Sequence, residues 1–212
     1  MSGAAITAAH RGNVYDLLST VFRRPLDARY LERLRTPDML AALAAAGIDP
    51  GEDFIGDDSD TVLDRLAIDY TQLFHGPMDR IAPYESIQRG NDGELMGAPA
   101  GEVCRFMAEV GFSVASEAAE LPDHISVELA FLGALANREA VALDGGDTET
   151  VARARDIQQR FLKAHPGRWA DVFADKVKAR AETEFYASMA AAMARFISDE
   201  CRQAVEKCNQ EG

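Results

Sequence analysis

Apolar residues recur along this chain at the three-to-four spacing of helices, and strict alternation is nowhere sustained. Val14, Leu17, Leu18, Val21 and Phe22 make one such stripe, with Asn13 placed to cap it. Asp27 can cap a second helix carrying Tyr30, Leu31 and Leu34, and Thr36-Pro37 restarts the chain into Met39, Leu40 and Leu43. The polar, acidic stretch from Asp49 to Ser59 reads as a surface loop. The spacing of Val62, Leu63, Leu66, Tyr70, Leu73 and Phe74 predicts a helix from about Asp60 to His75, stopped by Gly76-Pro77.

Residues 76–98 then carry glycine and proline with no helical or strand period. A connection of that length inside a helical domain is uncommon and is often functional, although a simple surface tether would look the same. Helices resume from about Pro99 to Val110, with Gly111 as the stop, and from Pro122 to about Leu143. The turn Asp144-Gly145-Gly146-Asp147 leads into another helix ending near Lys163, and His165-Pro166-Gly167 breaks the chain again. Beyond it, Trp169, Val172, Phe173 and Val177 form one stripe, and Phe185, Tyr186, Met189, Met193, Phe196 and Ile197 another. The expected fold is therefore all-α. It is a single-domain bundle of seven to nine helices over residues 1–212, with a flexible N-terminus over 1–11 and a long functional loop over 76–98.

Composition narrows the function classes. The net charge is −13, with 35 acidic against 22 basic residues, which argues against nucleic acid and against anionic membrane surfaces. The acidity suits a basic partner, and it equally serves solubility alone. No run approaches the roughly 20 apolar residues of a membrane span, and the first ten residues lack the pattern of an export signal. The expected location is the reducing cytoplasm. Cys104 reads as a core residue, while Cys201 and Cys208, seven apart, match no zinc spacing. The four histidines are scattered, and neither a metal nor a cofactor is expected.

Phosphate-loop, dinucleotide, HExxH, CxxC and GxSxG motifs are absent from the sequence. What remains is Leu121-Pro122-Asp123-His124-Ile125-Ser126-Val127-Glu128-Leu129, where His124 and Glu128 share a helix face and Asp123 sits at the helix mouth. Spacing leaves three roles open for these residues. They are helix capping, binding of a guanidinium or amide of a peptide, and acid–base catalysis with Ser126 as a weak nucleophile.

Three segments together resemble the TorD/DmsD/NarJ-like chaperones of molybdoenzyme maturation. Asp69 to Pro77, followed by Pro83-Tyr84-Glu85-Ser86, is similar to the family's Tyr-x-x-Leu-Phe-x-Gly-Pro helix end and its Pro-x-x-Ser loop. Pro122 to Leu132 resembles the Pro-Asp-His helix, and Phe161 to His165 with Trp169, Phe173, Phe185 and Tyr186 resembles the C-terminal helices. The similarity spans roughly residues 12 to 200. Where some relatives carry tryptophans in the loop after Gly-Pro, this chain has Met78, Ile81 and Tyr84.

The resemblance implies a cytoplasmic chaperone rather than an enzyme. Its partners would be the apo form of a molybdoenzyme catalytic subunit and that subunit's twin-arginine signal peptide, and it would delay export until the cofactor is inserted. By matching position, the peptide site would comprise Leu73, Phe74, Gly76, Pro77, Tyr84, Glu85, Ser86, Asp123, His124 and Glu128. The apolar residues would form a groove, and Glu85, Asp123 and Glu128 would meet the arginines. Either a monomer or a domain-swapped dimer is compatible with it. The competing readings are a hydrolase or nucleotide-handling enzyme built on an Asp123/His124 pair, and a structural subunit of a permanent complex.

Overall fold

The computed structural model describes residues 2–77, 79–90, 95–112 and 120–210, the side chains of 204–210 excepted. The fold is all-α. Five helices make up the N-terminal half: α1 (Gly3–Arg23), α2 (Ala28–Leu34), α3 (Pro37–Ala45), α4 (Glu52–Gly56) and α5 (Ser59–Phe74). Then come α6 (Glu85–Arg89), α7 (Ala98–Glu109), α8 (Ile125–Gly145), α9 (Thr148–Ala164), α10 (Ala170–Arg180) and α11 (Glu184–Gln210), with a 3-10 turn at Pro166–Arg168. Among the described residues, eleven α-helices replace the expected seven to nine. The extra ones, α4 and α6, are only five residues long and too short to show an apolar period.

The most extensive helix pairing joins α1 to α8, and α8 packs in turn on α9. The first two lie close because each presents a glycine. A Cβ on Gly133 would meet Asp16 Oδ1 at 2.6 Å and the Cβ of Tyr15 at 3.2 Å, and one on Gly12 would overlap Asn137. Around this pair the core gathers Tyr15, Phe22, Phe131, Phe161, Trp169, Phe173, Phe185 and Tyr186, all buried. Phe22, Phe74 and Phe173 pack mutually, with ring centroids 5.8 to 6.4 Å apart, and bind α1, α5 and α10 into one body.

Several local expectations give way. The first eleven residues are helical from Gly3, not a flexible terminus. Ser2 Oγ accepts from the Ala5 N–H at 3.2 Å, and Ala5 and Ala8 are buried. Arg11 anchors this stretch to three later helices. It donates to Glu200 at 2.8 Å, to Glu139 at 3.1 Å and to Gln158 at 2.7 Å. The acidic stretch 49–59 is not wholly loop, because α4 buries Phe54 in a parallel stack on Phe185 with centroids 5.0 Å apart. Cys104 lies exposed on α7 rather than in the core, since Val103 and Met107 take the inner face there.

Candidate peptide-binding site

The long connection is a strap laid on the start of α8. Ile81 N–H donates to Leu73 O at 2.7 Å, which folds the chain back against the end of α5. Tyr84 and His124 then form an isolated antiparallel bridge. Ile125 N–H donates to Pro83 O and Glu85 N–H to Asp123 O, each at 2.9 Å. Pro122 and Asp123 form a turn closed by the His124 N–H on Leu121 O at 3.0 Å, so α8 starts only at Ile125 and His124 is its N-cap. The expected helical start at Pro122 is corrected accordingly. Met78 and residues 91–94 of the expected loop lie outside the described residues.

Beneath the strap is a buried polar cluster. Glu85, Asp123 and Glu128 are fully buried (0 % exposed), and Ser86 and His124 nearly so (2 %). Asp123 Oδ2 accepts from the Ser86 N–H at 2.9 Å. Glu85 stands 2.9 Å from His165 Nδ1 and pairs with Arg89 on its own helix. Glu128 accepts from the Trp169 indole N–H at 3.2 Å. Burial, and then the adjacent charge of Glu85, push the Glu128 carboxyl well above the usual carboxylate range, so it is held neutral.

His124 is held in its neutral form as well. Burial, followed by the charges of Arg23 and His75, lowers its pKa to about 3. Its Nδ1 accepts from the Ser126 N–H at 3.1 Å and lies 2.7 Å from Ser126 Oγ. Its Nε2, 3.8 Å from Glu120, is a polar neighbour rather than an ion pair. The Asp123/His124 acid–base pair is not formed. Asp123 is engaged by the strap, and the imidazole is spent on the helix cap, with a pKa too low for a base near neutrality. The buried carboxylates are also out of reach of an arginine arriving from solvent, contrary to the direct pairing expected of them.

The open surface above this cluster is a groove of about 290 Å³ between the end of α5 and the strap. Tyr70, Phe74 and His75 line one side, and Arg80, Ala82, Pro83, Tyr84 and Ile87 the other, with His124, Glu120 and Leu95 closing it. The Tyr84 ring meets the His124 ring edge-on at 5.0 Å, and its hydroxyl donates to Glu120 at 3.2 Å. Of the residues expected in the site, Phe74, Tyr84 and His124 line the groove. Leu73 and Gly76 are buried beside it, Pro77 is exposed at the turn, and Glu85, Ser86, Asp123 and Glu128 form the scaffold below. Tyr70, His75, Arg80, Ala82, Pro83, Ile87, Leu95 and Glu120 were missed as site residues. Tyr70 was visible as one member of an apolar stripe, but nothing in its spacing distinguished wall from core.

The model of the nitrate reductase delta subunit family matches residues 32–175 of this chain. A chaperone protein TorD from Vibrio parahaemolyticus is 29% identical over 202 residues, covering 88% of this chain and 90% of its own. Another, from Photobacterium profundum, is 30% identical over 188 residues, with coverages of 83% and 85%. The fold is shared with a solved structure from Archaeoglobus fulgidus, described as a candidate redox enzyme maturation protein. Its TM-score is 0.52 and its identity 21%, over 89% of this chain and 93% of that one. The chain belongs to the nitrate reductase delta subunit family, among relatives that are named chaperones and not enzymes.

Proposed function

We propose that this protein is a maturation chaperone for a molybdenum-containing oxidoreductase. It binds the client's twin-arginine signal peptide, its apo form or both, assists cofactor insertion and delays export. The observation that carries the reading is the groove at Tyr84, mostly apolar and walled on one side by the strap, which backbone pairing, buried polar contacts and the buried Ile81 hold in place. An apolar stretch of peptide fits such a groove. In this reading Phe74, Tyr84 and His124 make contact, while Gly76 and Pro77 shape the turn that carries the rim. Leu73, Glu85, Ser86, Asp123 and Glu128 keep the groove's shape from beneath. No helix among the described residues is long and apolar enough to cross a membrane.

The test is calorimetric titration of the protein with the signal peptide of a molybdoenzyme from the same organism. Saturable binding is expected, weakened by Tyr84→Ala and Ile87→Ala and by replacing the peptide's apolar segment with polar residues. Absence of binding by both the peptide and the apo-client would overturn the reading.

A further inference from the structure

The groove at Tyr84 lacks the charge to receive arginines. Glu120, the acid in its lining, is already bonded to Tyr84. The adjoining cleft along the strap is lined by Arg80, Lys176 and Arg180. The unspent negative charge lies on another part of the molecule. From Asp49 to Asp64 every charged residue is acidic. Pro50 to Phe54 of this stretch, with Glu52 and Asp53 as its acids, form one wall of a cleft of about 710 Å³ between α4, α5 and the turn joining α10 to α11.

The cleft is built to a definite plan. Its floor is apolar, with Phe54 stacked on Phe185 beside Val62 and Leu66, and Ile68 stands 56 % exposed at its edge. Its rim carries Glu52, Asp53, Glu182 and Glu184. Arg65, the cation among the described lining residues, is occupied by Asp53 at 3.0 Å and Asp57 at 2.8 Å. Glu52, Glu182 and Glu184 are exposed and have no cation paired with them among the described residues. The wall is held in place from behind. Asp69, buried on α5, accepts from the backbone N–H groups of Glu182 at 3.2 Å and Thr183 at 2.8 Å, which fixes the turn bearing two of the three glutamates. Gly51 has φ +91, and a Cβ there would meet the Glu184 carboxylate at 2.7 Å, so the opposite wall comes up against that side chain.

We infer that this cleft is a second docking surface, which takes an arginine-bearing segment of the client peptide with neighbouring aliphatic residues against the Phe54–Phe185 floor. The inference rests on the peptide-binding reading above and moves the arginine subsite away from the buried Glu85, Asp123 and Glu128. Exposed carboxylates around an apolar floor attract a cationic peptide over distance and hold its guanidinium groups at close range, where each pair adds little alone and several together set affinity and salt dependence.

The test uses the full chain and a labelled synthetic peptide with two adjacent arginines followed by an apolar segment, followed by fluorescence anisotropy at low and high salt. Glu52→Gln, Glu182→Gln and Glu184→Gln combined are expected to weaken binding about tenfold at low salt, and to flatten its salt dependence. A variant with the same charge change at the exposed Glu32, Glu102 and Glu109, none of which lines the cleft, is expected to bind nearly as the unaltered chain does. Hydrogen exchange is expected to slow at residues 51–56 and 182–186 when the peptide binds. Unchanged binding by the cleft variant overturns the assignment and leaves the Tyr84 groove standing. Equal losses in both charge variants, or equal binding of a peptide with glutamines for its arginines, also overturn it. Loss of self-association in the cleft variant, with peptide binding intact, would give the cleft to a second copy of the chain. If neither groove nor cleft binds any peptide, both readings fall.

Discussion

Trp169 donates its indole N–H to Glu128 at 3.2 Å, joining the turn before α10 to the first turn of α8. With Glu128 held neutral by burial and by Glu85, the indole meets a protonated carboxyl in a site without solvent. Because the folded pKa is raised, the stabilisation from this proton is complete below the unfolded value of 4.5 and declines as pH rises toward the folded value. Glu128→Gln keeps the shape and carries no ionisable proton. In urea unfolding it is expected to lie within about 1 kcal/mol of the unaltered protein at pH 5, and to gain on it steadily toward pH 8. A parallel pH dependence in the two proteins would show that Glu128 is ionised in the fold. Glu128→Ala, which leaves a hole and an unpaired indole, is expected to cost about 2–4 kcal/mol throughout.

His124 shifts in the opposite direction. Its folded pKa is lowered to about 3 from 6.5, so the unfolded chain takes up a proton in that interval and the folded chain does not. Stability from this residue is present above pH 6.5 and is lost as pH falls toward 3, with a slope approaching one proton per molecule, or about 1.4 kcal/mol per pH unit. His124→Asn retains a capping side chain at the start of α8. Unfolding followed from pH 7 to 4 should show a shallower acid-side slope in this variant. An unchanged slope would place the acid sensitivity elsewhere.

Arg11 and Arg65 test where ion pairs matter. Arg11 faces Glu139 and Glu200, both nearly buried, and Tyr15 also donates to Glu200 at 3.2 Å. Removing the guanidinium leaves the nearly buried Glu200 without a cation, while Glu139 keeps Arg155 at 2.6 Å, and Arg11→Ala is expected to cost about 3 kcal/mol. Arg65 pairs with Asp53 and Asp57 in solvent, so Arg65→Ala is expected to cost about 0–1 kcal/mol. Chemical denaturation of the two variants side by side measures the contrast, and equal costs would refute the special role of the Arg11 clamp.

The two glycines Gly133 and Gly101 should respond to alanine with opposite sign. At Gly133 the added methyl runs into Tyr15 and Asp16 of α1, and a loss of about 1–3 kcal/mol is expected as the helices are forced apart. At Gly101, exposed within α7, nothing lies within 4 Å, so alanine is expected to stabilise by about 0.5–1 kcal/mol through helix propensity alone. Thermal unfolding of both variants settles the sign.

Much of this architecture could be read from the chain. The stripe from Val62 to Phe74 and its stop at Gly76-Pro77 matched α5, and Gly111 ended α7 as expected, at φ +74. The pairing of the Pro83–Ser86 loop with the Pro-Asp-His segment was legible only through resemblance, since no spacing rule joins residues 40 positions apart. What stayed hidden has a common cause. Carboxylates are read as exposed by default, and nothing local marks Glu85, Asp123 and Glu128 as buried, because their partners Ser86, His165 and Trp169 come from other elements. Residues 3–12 were missed because four alanines and two glycines carry no large apolar stripe, yet such small residues permit the close approach of helices.

The clamp of α1 on α8, described above through its glycines, fixes an order of events during synthesis. The first helix leaves the ribosome long before the surface it needs, and its Arg11 finds Glu139 on α8 and Glu200 only on α11. The strap is in the same position, since Glu85 must wait for His165. The polar scaffold beneath the Tyr84 groove is therefore completed only once His165 and Trp169 have been translated, about 40 residues after the last groove-lining residue, His124.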